Sequence, residues 1–182
     1  MDKDRYDIDA VPDQEGVPNP LQIRIMIRKL LTDRFKLTFH HDKKELSAYV
    51  LTLGKTGQKL MPTEFPGPLP GIGMRPGSGG LTFMARNAAV GDFAGFLQTL
   101  VLDRPVVDQT GLTAKYDFSF TFTPDDSLFN GHPPQLPAHT DTTEAAPSFF
   151  DALQQQLGLK LEAQKTAVDV LVIDHAEKPS AN

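Results

Sequence analysis

Cysteine is missing from the 182 residues, which excludes disulfides, thiol nucleophiles and thiolate zinc sites. Tryptophan is missing too, so the aromatic content rests on 12 Phe and 3 Tyr. No run of about 20 apolar residues occurs, so no hydrophobic transmembrane segment is read. Met1 is not followed by a basic stretch and an apolar stretch, so no signal peptide is read at the start. Clustered cations are absent as well. The 18 Lys and Arg are spread along the chain among 23 Asp and Glu, for a net charge of −5. Phosphate backbones are held by clustered Lys and Arg, so nucleic acid is excluded as the main partner.

What is present is apolar periodicity. RYDIDAVP alternates Tyr6, Ile8 and Ala10 against Asp7 and Asp9, a short strand ended by Pro12. LQIRIMIRKLLTDRF sets Leu21, Ile25, Leu30 and Leu31 near one helical stripe, widened by Ile23 and Ile27. FKLTFHH then reads as a strand, DKKE as a turn, and ELSAYVLTL as the antiparallel partner up to Gly54. Residues 62–80 hold five Pro and six Gly, which predicts a loop. Leu81–Arg86 resumes strand character, and Asp92 is placed to cap a helix DFAGFLQTLVL. PVVD, a turn at QTG and AKYDFSFTF follow; Tyr116, Phe118, Phe120 and Phe122 share one face of the last strand. Residues 123–146 are Pro-, Asp-, Thr- and His-rich, a mobile loop by composition. Ser148 is placed to cap FFDALQQQLGL, after which LKLEAQ and VDVLVIDH read as a closing hairpin.

The pattern helix, strand, turn, strand thus recurs three times, with helices starting near positions 20, 91 and 147. It predicts an α+β fold of three helix–strand–strand units, mainly antiparallel, with helices packed on one face. The units span 1–61, 81–123 and 147–176, separated by the Gly/Pro loop 62–80 and the loop 124–146 and followed by the tail 177–182. Asp103 and Arg104 fall where a helix hands over to a strand, as do Asp33 and Arg34. A basic residue there meets orphan helix carbonyls, so the polar cluster VLDRPVVDQTG marks a structural joint first and a site second.

The ordered phrases LLTDRFKL, KEL-x-x-Y, DRPVVDQTGL-x-x-KYDF, SFF-x-ALQQQLGLKLE, K-x-x-V-x-VLVIDH and EKPS-x-N run across nearly the whole chain. Together they resemble a Solibacter-type uncharacterised family, a domain of unknown function expanded in acidobacterial genomes. The resemblance implies an exported protein, periplasmic or secreted in its full-length form, and no defined activity. By that resemblance, members usually have a signal peptide and a further N-terminal region before the segment matching DRYDIDA. The resemblance therefore also implies a chain shortened at its front.

Familiar chemical motifs fail one by one. VVDQTG differs from an aspartic protease loop by Gln109 and has no second copy to form a carboxylate dyad. GIGMRPGSGG places Pro76 at the third glycine position of a dinucleotide fingerprint and lacks the Gly-Lys-Ser/Thr of a P-loop. No G-x-S-x-G occurs, so a nucleophile elbow is missing. His40 and His41 are adjacent in a strand and point to opposite faces. Asp125, Asp126, Asp141 and Glu144, with His132 and His139 nearby, are able to offer oxygen ligands to calcium, without the D-x-D-x-D-G spacing.

Two function classes survive. One is an extracytoplasmic binding module for an unknown small molecule or a peptide or protein partner, using aromatic-rich strands and open sheet edges. The other is a small hydrolase without a covalent nucleophile, opening lactones (acyl-homoserine lactones included) or esters with activated water. Its candidate groups are Asp103, Arg104, Asp108, Lys115 and Tyr116, with Asp174 and His175 from the last strand.

Overall fold

The structure, a computed structural model, describes residues 5, 7–12, 16, 18, 20–64, 67, 69–77, 79–137 and 145–179. Tyr6 and the side chain of Leu21, both used above, lie outside the described part. The chain divides into two compact units, residues 1–43 with 169–182, and residues 44–168.

The first unit is built on helix α1, Pro20–Phe35. Lys36 takes a left-handed φ of 51° where the helix stops, and its Nζ donates to the Asp33 carbonyl at 3.0 Å. Ile23 and Ile27, four residues apart, share one side of the helix with Leu30 and Leu31, whereas Ile25 stands on the other side, so the expected single stripe is split in two. All three isoleucines are exposed, Ile25 at 59%. The strand expected over RYDIDAVP is not formed among its described residues, because neither sheet supplies it a neighbour.

The hairpins expected at both ends are also not formed. Strand β1 runs unbroken from Thr38 to Leu53 and strand β7 from Leu159 to His175. Two-residue hairpin turns favour Asn-Gly, Asp-Gly or Gly-Gly, and neither DKKE nor the middle of β7 contains a glycine. The two are neighbours in one sheet. Within the first unit His40 meets Asp174 and Lys43 meets Asp169, so the strands run in opposite directions. Glu177 N–H donates to the Phe35 carbonyl at 2.7 Å and ties the segment after β7 to the end of α1.

The second unit contains β5, Val106–Asp108, which lies parallel to β1 with Tyr49 opposite Val106, in the order β5–β1–β7. It also holds a four-stranded antiparallel sheet ordered β2–β6–β4–β3. There β2 is Met61–Pro62, β3 is Gly71–Gly77, β4 is Gly80–Ala89 and β6 is Lys115–Phe122. The α+β class with mainly antiparallel sheets is therefore what the protein adopts. Two local expectations are corrected. Residues 62–80 are not all loop: β3 alternates Ile72 and Met74, which pack against the core, with Gly71 and Gly73. Likewise β5 and β6 are not a hairpin, because they belong to different sheets.

Two short helices lie beside these sheets. Helix α2, Val90–Phe96, continues as a π-helical turn Leu97–Val101; helix α3, Phe149–Ala152, continues as another, Leu153–Leu157. Ser148 caps α3 as expected, its Oγ accepting from Asp151 N–H at 3.3 Å. Asp92 does not cap α2 from in front. It sits one turn inside and reaches back to accept from Ala89 N–H at 2.9 Å. Gly158 ends the second helix at φ 69°, where a Cβ would overlap the passing Gly57 carbonyl. In the segment after β6, Leu128 is fully buried and Phe129–Gly131 form a 3₁₀ turn, so part of that polar stretch is anchored.

Aromatic packing makes the core. Phe83 on β4 lies 5.0 Å from Phe93 on α2 and 5.3 Å from Phe120 on β6, centroid to centroid. Phe122 meets Phe149 on α3 at 5.0 Å, edge to face. The expected common face of Tyr116, Phe118, Phe120 and Phe122 is the one that packs here. Deleting a buried aromatic ring removes transfer energy and leaves a cavity. Phe83→Ala is expected to cost about 3–5 kcal/mol, whereas Met84→Ala on the opposite face is expected to stay within about 0.5 kcal/mol. Urea denaturation of the two variants checks this; equal losses would contradict the assignment of faces.

Candidate functional site

Asp103 and Arg104 follow the π turn after α2, and of the sequence candidates they are the pair brought into ion-pair contact. Arg104 Nε donates to Asp103 Oδ2 at 3.2 Å, and Nη1 donates to Ser47 Oγ at 3.2 Å. Its guanidinium stands 5.8 Å above the Tyr49 ring. The Tyr49 phenol is held above its ordinary range by burial and by the neighbouring Asp103 charge and hydrogen bond, with Arg104 opposing. These contacts fasten the end of the α2 segment to β1. The groups are roughly half exposed, where ion pairs contribute little.

The remaining candidates fall elsewhere. Asp108 Oδ1 accepts from Thr110 N–H and Oγ1 at 2.9 and 2.7 Å, closing its own turn. Lys115 is exposed opposite Ala89, and Tyr116 is buried opposite Ala88 on the other face of β6. Asp174 pairs with His40 Nδ1 at 2.7 Å and His175 Nε2 with Glu177 at 2.8 Å, both within the first unit. Asp125 accepts from Ser127 N–H at 2.8 Å in a local turn, and Asp126 is exposed. Asp141 and Glu144 lie outside the described residues. Among the described residues no group of three or more His and carboxylates is placed to hold a metal ion. That gives calcium no cluster there.

A different surface was not seen in the sequence. The four-stranded sheet buries one face under the aromatic core and leaves the other open. On the open face lies a trough of about 590 Å³, lined among others by Lys59, Met61, Arg75, Met84, Arg86 and Asp117. Cross-strand register explains the grouping: Arg75 faces Thr82, Gly73 faces Met84 and Gly71 faces Arg86. Met84 in turn faces Ser119, and Met61 faces Asp117. Gly71 and Gly73 leave this face bare, since a Cβ built on either meets nothing within 4 Å.

A β-bulge between Ala85 and Ala88 fixes one end of the trough. Asn87, at φ 51°, donates its N–H to Asp117 Oδ1 at 2.7 Å, and its Nδ2 donates to Gly67 and Leu69 carbonyls at 2.8 and 3.0 Å. Asp117 is held below its ordinary range chiefly by that Asn87 N–H, then by the Thr63 hydroxyl and the Arg86 charge, with burial opposing. Its charge is thus committed to the protein. Lys59 Nζ donates to the Gln155 carbonyl at 2.8 Å. Arg75 has no side-chain partner among the described residues. Three cations against one engaged carboxylate make the trough locally positive on a chain of net charge −5.

The signal for this surface was present in GIGMRPG. Its Gly71, Gly73 and Arg75 alternate with Ile72, Met74 and Pro76, a strand pattern hidden by glycine content. A further open groove, in the first unit, measures about 510 Å³ and is lined by apolar side chains including Ile23, Ile27 and Leu31.

A family described as "Protein of unknown function (DUF3738)" matches residues 1–176. Comparison with curated proteins gives no match, and neither does comparison with solved structures.

Asp117 carries a pH consequence. A carboxylate whose folded pKa is depressed stabilises the fold above its unfolded pKa, and that stabilisation is lost as pH falls through the folded value. The window here lies on the acid side of the ordinary 3.8. Asp117→Asn is expected to flatten the acid limb of the stability–pH curve, measured by urea unfolding between neutral and strongly acid pH. An unchanged acid limb would contradict the hydrogen-bond assignment.

Proposed function

The chain belongs to the DUF3738 family, and from that premise we propose that it is a non-catalytic binding module that recognises an extended polypeptide segment with the open face of its four-stranded sheet. One observation carries this: a trough whose apolar and cationic side chains come from β2, β3, β4, β6 and the segment entering β2, on the sheet whose other face packs on the aromatic core. Binding surfaces combine exposed apolar contacts with a few unsatisfied polar groups, and Met side chains adapt to varied partners. Met61 and Met84 provide the first, at 69% and 40% exposure, and Arg75 the second. Action outside the cytoplasm, in an exported protein of acidobacterial type, is part of the proposal. It rests on the resemblance of the sequence phrases to that family; the absence of cysteine is compatible with it.

Amide chemical-shift mapping of the isotope-labelled chain with a panel of nonapeptides of varied charge tests the proposal. Saturable shifts at residues 71–75, 82–86 and 117–119 are expected. A panel that moves none of these amides at millimolar concentration overturns it.

The competing reading is hydrolysis of lactones or esters by activated water. Its support is the contact of Asp103 and Arg104 with Tyr49 and Ser47, which places polar groups together at an accessible joint. Incubation with a lactone and ester panel, with calcium or with EDTA, discriminates. No turnover above buffer is expected. Turnover that disappears in Asp103→Ala would replace the binding proposal with the hydrolase.

A further inference from the structure

We infer that the free edge of β3 takes an acidic, extended segment as an added strand, with the segment's carboxylates on the open face above Gly71 and Gly73. This rests on the binding-module proposal and adds the edge, the partner's charge and its conformation.

The edge is identified from its hydrogen-bonding groups. Gln156 Oε1 accepts from Thr121 N–H at 3.0 Å, and its Nε2 donates to the Thr121 carbonyl at 2.8 Å. Thr121 therefore turns its backbone away from β4, and Thr82 opposite it turns toward β3. The Thr82 and Thr121 hydroxyls meet at 2.9 Å, as the close side chains of a non-hydrogen-bonded pair should. Alternation then makes Arg75, Gly73 and Gly71 the residues bonded to β4, and aims the backbone of Ile72, Met74 and Pro76 outward. Pro76 gives an independent check, because a proline without an N–H is tolerated in a strand where that position faces out of the ladder. The outward row holds the N–H and C=O of Ile72 and Met74 and the C=O of Pro76. Among the described residues no backbone bond engages it.

Other sheet edges are less suited. Edges β2 and β5 span two and three residues. Edge β7 is long but carries Lys160, Glu162, Lys165 and Asp169 along it, the charged decoration that blocks pairing. The inner part of β3, Gly71–Met74, carries no charge at all.

The partner's charge follows from the same register. An added strand lies about 4.8 Å beyond β3, and its face-up side chains stand beside Gly71, Gly73 and Arg75. At the two glycines nothing rises between Arg86 on β4 and that strand. A carboxylate there meets Arg86 across Gly71 and Arg75 directly, while Asp117 is already engaged by Asn87. A second copy pairing through the same edge would bring cations onto cations and is disfavoured.

Three capped nonapeptides test this, alternating Val with Glu, with Gln or with Lys. Each is titrated into the labelled chain while amide exchange is followed. The Glu peptide is expected to shift and protect the Ile72 and Met74 amides and to bind on the order of tenfold more tightly than the Gln peptide. Arg75→Glu with Arg86→Glu is expected to reverse the order in favour of Lys. Gly73→Val, which fits without a clash, is expected to weaken the Glu peptide while leaving the spectrum folded. Equal binding of Glu and Gln peptides overturns the charge preference, and trough shifts without protection of Ile72 and Met74 overturn strand addition; both leave the binding module standing. Absence of any peptide shift overturns both proposals. Protection of these amides in the free chain with dimers in sedimentation assigns the edge to a second copy and overturns the acidic partner.

Discussion

The packing of phenylalanine rings between the four-stranded sheet and the two short helices is the constraint on which the second unit depends. Phe83, Phe118 and Phe120 bring one sheet face to Phe93, and Phe120 and Phe122 bring it to Phe149. Edge-to-face and tilted contacts of this kind add about 0.5–1.5 kcal/mol each beyond area burial. Helices α2 and α3 are too short to be stable alone, so their order comes from this contact. Because strand side chains alternate, committing one face to rings leaves the opposite face to Thr82, Met84, Arg86, Asp117 and Ser119. The open face is the necessary complement of the core.

Polar groups then trim that sheet. Asn87 and Asp117 hold the bulge that bends β4 near its end, and the Gln156 amide stands in for a missing strand beside Thr121. One lateral limit of the sheet is thereby capped. The other limit, β3, is built from glycines and a proline and receives no such cover among the described residues. An edge strand of this composition is weak in its own propensity and is held by the packing of Ile72 and Met74. That combination keeps it in place while its outer backbone groups stay without a backbone bond among the described residues.

Much of the fold was legible where side-chain period and environment agree. Tyr116–Phe122 alternates without interruption, and Ser148 stands three residues before Asp151, so strand β6 and the α3 cap could be read directly. Misreadings came where local composition and tertiary pairing disagree. DKKE is polar enough for a turn, yet it holds no glycine or asparagine to favour a tight one and continues as strand beside β7. GIGMRPG is rich enough in glycine for a loop, yet β4 recruits it. In α1, Ile25 stands on the side away from Ile23, Ile27 and Leu31, and all three isoleucines stay exposed, so one apolar stripe was the wrong reading. For the site, Asp103 and Arg104 were visible as a joint because they are adjacent in sequence. The trough was not, since it joins Lys59, Arg75, Arg86 and Asp117 across strands and depends on two side chains that glycine lacks.

Strand β3 is an edge without a backbone partner on its outer side among the described residues, and its backbone groups alternate between use by β4 and availability. Residue-resolved amide hydrogen exchange of the free, folded chain addresses it most directly. Gly71, Gly73 and Arg75 should exchange slowly because β4 holds them, while Ile72 and Met74 should exchange almost as fast as a solvent-exposed amide. Equal, strong protection of all five would mean that the edge is already paired, and would contradict the account.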